Sequence, residues 1–161
     1  MVHMKYSKEA VCVFQESQIK GHVLFREFKE QKKTGIVLRL TGVPPGEHGF
    51  HIHQSGDLRE GCNSLCAHFN PCGKNHGGPN DKERHVGDLG NIQPDSNGEV
   101  NKTMYDTKIK LSGKNSIIGR SVVIHADRDD LGKGGNAESL KTGNAGKRIA
   151  CGVIGLSKNS C

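Results

Sequence analysis

The sequence has no tryptophan, two tyrosines and five phenylalanines, so aromatics make up 4% of its 161 residues. Apolar residues of all kinds reach only 33%. A chain of this length can enclose one hydrophobic core, as a single domain over 1–161. That core must be lean. No apolar run approaches the ~20 residues of a membrane-spanning helix. The N-terminal stretch M-V-H-M-K-Y-S-K-E-A-V-C-V-F lacks the apolar centre of a secretory leader. Both absences point to a cytoplasmic protein without a membrane partner, and a secreted form stays open only if the N-terminus has been processed. The net charge is +6. Lys and Arg are spread along the sequence and stacking aromatics are few, which argues against a nucleic-acid partner. Attraction of a small anion remains.

Glycine is plentiful, at 22 residues with no collagen-like period, so turns and long loops are expected. Cysteine is plentiful too. Cys12, Cys62, Cys66, Cys72, Cys151 and Cys161 could form up to three disulfides, which would suit an oxidising compartment and pulls against the cytoplasmic reading.

Apolar residues recur in short alternating runs. Strands are expected over 9–16, 20–28, 35–43, 48–54, 88–93, 99–111, 117–125 and 148–156, with no helix. In the second, Val23, Phe25 and Glu27 share one face and His22, Leu24 and Arg26 the other. Pro44-Pro45-Gly46 and Asp95-Ser96-Asn97-Gly98 read as turns. Two polar stretches, 55–87 and 126–147, have no strand pattern. Loops of that length are uncommon unless they are functional or stapled. About eight short strands and no helix make an all-β antiparallel sandwich or flattened barrel, with a site built on its rim by the loops.

The histidines gather where the pattern fails. His51, His53, His68, His76 and His85 fall within 35 residues, where an even spread would put about two. His51 and His53 are two apart on a strand, so both rings point the same way. His68, His76, His85 and Asp88 follow at spacings of eight, nine and three. Three nitrogens and one oxygen suit a closed tetrahedral zinc site. His125, at the end of another strand, would join His51 and His53 in a nitrogen-rich set that favours copper. Two sets built from seven ligands suggest one shared imidazole, whose two nitrogens can serve two cations. His48 precedes the H-x-H pair out of phase and reads as structural, bonded to a loop carbonyl.

On these residues the sequence resembles the copper/zinc superoxide dismutase family. The matching segments are G-F-H-I-H at 49–53, H-F-N-P at 68–71, H-G-G-P at 76–79, E-R-H-V-G-D-L-G-N at 83–91, D-D-L-G-K-G-G-N at 129–136 and K-T-G-N-A-G-K-R-I-A-C-G-V-I-G at 141–155. The resemblance covers about 9–156. It implies an eight-stranded Greek-key β-barrel and the conversion of superoxide to dioxygen and hydrogen peroxide, with one copper and one zinc per subunit. By position it implies copper on His51, His53, His68 and His125, and zinc on His68, His76, His85 and Asp88, with His68 as a catalytic bridge. Asp129 matches an outer carboxylate bonded to the free nitrogens of His51 and His76. Arg148 matches a catalytic arginine beside the copper, and Glu138 and Lys141 match charged groups that guide the anion with it. Cys62 and Cys151 match the family's disulfide. The resemblance also implies a homodimer, with contacts at Gly56, Ile118, Gly119, Val153 and Leu156, and a copper chaperone as a candidate partner.

The chain departs from that pattern in places. Gln54 and Ala137 stand where relatives often carry acids. Cys66 and Cys72 flank His68, and a second disulfide between them is the preferred expectation over free thiols. Two rival readings share the histidines: a dismutase-like copper-delivery protein and a zinc-stabilised binding module. Neither needs all four copper positions filled, as they are here.

Overall fold

The structure, a computed structural model, describes residues 5–15 and 17–161. Eight strands appear: β1 (Lys8–Phe14), β2 (Lys20–Phe28), β3 (Lys33–Thr41), β4 (His48–His53), β5 (Asp88–Ile92), β6 (Val100–Asp106), β7 (Ser121–His125) and β8 (Arg148–Leu156). Every pairing is antiparallel, in the order β5-β4-β7-β8-β1-β2-β3-β6. β3 and β4 are consecutive in sequence but not neighbours, and the same holds for β6 and β7 and for β5 and β6, which are the two ends of the order. Those three crossings give a nearly closed Greek-key barrel, as the resemblance implies.

Alternation puts one face of each strand inside. Phe14, Phe25, Leu38, Phe50, Ile52, Val122 and Ile154 lie in one buried cluster. In β2 the expected faces are the observed ones: Val23, Phe25 and Glu27 are buried, and His22, Leu24 and Arg26 are not fully so. β4 is buried at every position. Its Phe50 and Ile52 fill the barrel, and its His51 and His53 face outward under the two long loops. That double cover is why these histidines can sit in a strand and still be shielded from water.

Several expected boundaries move. The strand expected to start at 117 begins only at Ser121. The strand expected over 99–111 ends at Asp106, whose Oδ1 accepts the main-chain N–H groups of Lys108 and Ile109 and turns the chain. β1 ends at Phe14, and residue 16 of the expected strand lies outside the described residues. The absence of helix is corrected: α1 (Ser139–Thr142) is one helical turn in the second loop, and 3₁₀ turns cover Gly61–Leu65 and Lys158–Ser160. Such short pieces show no periodicity to read.

The expected second disulfide is also corrected. Cys62 and Cys151 are bonded, over a separation of 89 residues, while Cys66 and Cys72 are free and exposed. Residues 67–69 run along β4, with the Gln54 N–H on the Ala67 carbonyl at 2.9 Å and the Phe69 N–H on the Ile52 carbonyl at 2.8 Å. An extended chain rises about 3.3 Å per residue, so this pinned segment holds the two thiols apart.

Candidate metal centre

Each histidine nitrogen can be assigned from what its partner nitrogen does. His53 Nδ1 donates to the Cys66 carbonyl at 2.9 Å, and His125 Nδ1 donates to the Gly146 carbonyl at 3.0 Å. His51 Nε2 donates to Asp129 Oδ2 and His76 Nε2 to Asp129 Oδ1, both at 2.7 Å. A neutral imidazole has one N–H and one lone pair. The lone pairs therefore sit on His53 Nε2, His125 Nε2, His51 Nδ1 and His76 Nδ1.

These lone pairs converge on each other rather than on donors. His53 Nε2 and His125 Nε2 lie 3.3 Å apart. His51 Nδ1, His68 Nε2 and His76 Nδ1 are buried without a hydrogen-bond partner. His76 Nδ1 is 3.0 Å from Asp88 Oδ1, but not in hydrogen-bond geometry. Asp88 Oδ1 also receives His68 Nδ1 at 2.9 Å and His85 Nδ1 at 3.1 Å. Buried acceptors facing acceptors are costly unless a cation lies between them. The donor set thus fits metal on chemical grounds.

One ligand atom from each of His51, His53, His68 and His125 lies within 4.8 Å of the others, and the same holds for His51, His68, His76 and Asp88. His85 is not in that second group, but its Nδ1 is 3.3 Å from His68 Nδ1. The ring of His68 stands in both sets, with Nε2 toward the first and Nδ1 toward the second. All seven residues are buried.

Burial holds most of the rings neutral, as metal binding requires. It pushes His51 down to about 3 and His125 to about 4, and lowers His53 and His68, with neighbouring rings adding to the effect for His51 and His53. His76 goes the other way, up to about 9, because its hydrogen bond to Asp129 and the Asp88 carboxylate close to its Nδ1 outweigh its burial, so that a proton competes with a cation for Nδ1. For Asp88 and Asp129 burial is likewise outweighed by hydrogen bonds from the histidines. Asp88 falls well below the carboxylate range and Asp129 falls to about 2. Two carboxylates that stay charged beside the neutral rings of His51, His53, His68 and His125 form a cation site.

Beside the first set opens a cavity of about 570 Å³, lined by His53, His68, His125, Glu138, Lys141 and Arg148 among others. Arg148 is not free to swing. Its Nη1 donates to the Cys62 carbonyl at 2.7 Å and its Nη2 to the Cys66 carbonyl at 2.6 Å. The Cys62–Cys151 bond fixes that loop against β8, which carries Arg148 at its start. The structure therefore brings every expected site residue to one region. His48 is structural, with its ring nitrogens 2.8 Å from the His125 and Pro44 carbonyls.

Sequence reasoning missed several supports. Asn91 Nδ2 donates to the Asp129 carbonyl at 2.9 Å, and Asn91 Oδ1 accepts the Asp129 N–H at 2.8 Å. Arg84 bonds the Asp88 carbonyl at 2.7 Å and Asp106 at 2.5 Å. The carbonyls of Cys62, Cys66 and Gly146 act through the main chain and leave no side-chain signal. Only Arg84 and Asn91 offered one, as polar residues inside the ligand-rich segment.

Comparison with known proteins agrees with this geometry. The family described as copper/zinc superoxide dismutase matches residues 19–154. Superoxide dismutase [Cu-Zn] of Paramecium bursaria Chlorella virus 1 is 59% identical over 146 residues, covering 90% of this chain and 77% of that protein. Its counterpart from Yarrowia lipolytica is 53% identical over 151 residues, covering 92% and 98%. The crystal structure of the clock protein EA4 superposes with a TM-score of 0.90 at 47% identity, over 98% of this chain and 100% of that one. With the histidine sets on the fold's rim and these matches over most of its length, the chain belongs to the copper/zinc superoxide dismutase family.

Proposed function

We propose a division of labour among the residues of this superoxide dismutase. His51, His53, His68 and His125 hold copper, and His68, His76, His85 and Asp88 hold zinc. The observation that carries the assignment is the His68 ring, whose Nδ1 meets Asp88 at 2.9 Å while its buried Nε2 has no hydrogen-bond partner. Bound copper supplies one-electron exchange with superoxide, and bound zinc supplies a fixed charge that orders the loop.

The chain's own groups do the rest. Arg148 presents a fixed cation to the incoming anion, because two carbonyls hold its guanidinium. Lys141 adds positive charge to the cavity lining, and Glu138 sets a negative charge in the same lining. His68, with Nδ1 held against Asp88 and Nε2 free of any hydrogen bond, would carry a proton at Nε2 and supply one of the two protons that hydrogen peroxide needs, the other coming from solvent. Asp129 keeps His51 and His76 aimed by accepting from the far nitrogen of each. We further place a homodimer contact around Gly56, Ile118, Gly119, Val153 and Leu156. Val153 and Leu156 are 37% and 52% exposed, and a Cβ on Gly56 would lie 3.3 Å from Val153 Cγ1.

The test is anomalous diffraction at the copper and zinc edges from metal-replete crystals, with activity measured on the same preparation. One copper and one zinc per chain, both touching His68, is the expected result. A ring that touches one ion, or turnover that survives copper removal, refutes the assignment.

A further inference from the structure

The dismutase reading leaves Arg120 without a role. It stands just before β7, half-buried, and is not among the residues lining the cavity beside the copper set. Among the described residues the arginines in ion pairs are Arg26, Arg59, Arg84 and Arg128, so no carboxylate accounts for its charge. Its contacts are of another kind. The guanidinium carbon lies over the Phe69 ring, 3.7 Å from its centre. Nη1 donates to the Gln54 carbonyl at 2.8 Å, and Nε donates to the Ser116 carbonyl at 3.0 Å.

Where those contacts fall matters. Gln54 follows His53 and Phe69 follows His68, so one planar cation touches the residue next to each of two histidines in the copper set. The two stretches also meet directly. His53 and His68 form an isolated antiparallel bridge, flanked by the Gln54 N–H on the Ala67 carbonyl at 2.9 Å and the Phe69 N–H on the Ile52 carbonyl at 2.8 Å. No longer ladder supports that bridge, and Arg120 spans its end. The arginine is itself anchored, because its own carbonyl accepts the Ile154 N–H of β8 at 2.9 Å. Both histidines are thereby referred to the barrel wall.

The chemistry of the guanidinium suits this task. Its flat face is drawn to the negative face of an aromatic ring, while the N–H groups at its edge stay free to bond carbonyls in the same plane. A methionine could cover Phe69 but would leave the Gln54 carbonyl without this donor. A lysine could do one or the other, not both. We propose that Arg120 is a positioning residue for the copper set, fixing through Gln54 and Phe69 the spacing of the His53 and His68 rings, whose centroids lie 5.0 Å apart. This rests on the assignment of copper to those two histidines.

Chelator competition for each metal, together with the Cu(II) paramagnetic resonance spectrum of the loaded protein, tests this. Arg120→Met should weaken copper about tenfold, within the usual effect of an outer partner. Zinc should weaken less, because His76, His85 and Asp88 are not held by Arg120. The Cu(II) spectrum should shift. The salt dependence of kcat/KM should not, because Arg120 is not in the cavity lining. Phe69→Leu should act in the same direction, and the double variant should lose less than the sum of the two, as groups acting through one contact do. If Arg120→Met does not fold, Arg120→Lys decides by the same readings. Equal losses for both metals, an unshifted Cu(II) spectrum or additive losses in the double variant overturn the proposal and leave Arg120 a packing residue. Anomalous diffraction from the parent keeps this apart from the assignment beneath it. Copper away from His53 and His68 overturns both, whereas copper on them with an unaltered Arg120 variant overturns the positioning role alone.

Discussion

Arg148 has only one charge to offer, and its setting decides what that charge can do. Both terminal nitrogens are spent on main-chain carbonyls, so the guanidinium acts as a fixed field source at the cavity rather than a mobile side chain. Fields of this kind raise encounter rates by 10–10³ and fade with salt. Arg148→Ala should therefore lower kcat/KM about tenfold at low ionic strength, flatten its salt dependence and leave both metals bound. Fast kinetics across a salt series, with metal analysis on the same samples, gives the answer. An unchanged rate and slope would assign the arginine to loop anchoring alone. The sequence named Arg148 but not its anchors, because the carbonyls of Cys62 and Cys66 belong to the main chain, where any residue type serves.

Secondary-structure elements carry two further effects. α1 ends on Gly143, at φ +69°, in the left-handed region that glycine tolerates. A Cβ there would lie 1.9 Å from Asp129 Oδ1 and 2.5 Å from His76 Nε2. Gly143→Ala should push Asp129 off both rings, and loss of such an outer partner typically costs 10–100-fold in metal affinity. Competition with a chelator measures this, and zinc retention equal to the parent's would refute it. At the far end, Glu9 of β1 ties down the C-terminal 3₁₀ turn. It accepts from Arg26 and from Ser157, both at 2.6 Å, and from Asn159 at 2.8 Å. Burial alone would raise its pKa, but these hydrogen bonds outweigh it and lower the value. A lowered carboxylate stabilises the fold above its ordinary pKa of 4.5, and that contribution is lost as pH falls through the lower folded value. Glu9→Gln should cost about 1–2 kcal/mol at neutral pH. The gap from the parent should close in acid, and urea melts at both pH values would show it. A gap of constant size would mean the charge is not the cause. The strands themselves were legible, since period-2 alternation gave all eight and even put Glu27 on the inner face. What alternation could not give was where pairing stops. Ile109 and Leu111 continue the apolar pattern past Asp106, but the chain has already turned onto that carboxylate.

At the scale of the whole molecule, the barrel and the loops have different sources of stability. The strands enclose an apolar cluster, although the sequence is poor in such residues. The loop between β4 and β5 is held by the Cys62–Cys151 bond, by His68, His76 and His85, and by a few main-chain bonds to β4. Closing a loop of 89 residues is worth roughly 4–5 kcal/mol in the chain-entropy account. The metals add their binding free energy. At free metal 1,000 times Kd that is about 4.1 kcal/mol for each ion bound only by the native chain. For a chain of this size 1 kcal/mol moves Tm by about 2–4 °C, so stripping one ion should lower Tm by roughly 8–16 °C. The loss should not be uniform. Without cations the lone pairs of His51 and His68 are left without partners in a buried site, so opening the loops relieves a cost that opening the strands does not. Hydrogen exchange on the metal-free protein should accordingly show residues 55–87 and 126–147 exchanging fast while β1, β2 and β3 stay protected. An unshifted Tm, or loops and strands losing protection together, would mean the barrel does not hold its shape independently of the site on its rim.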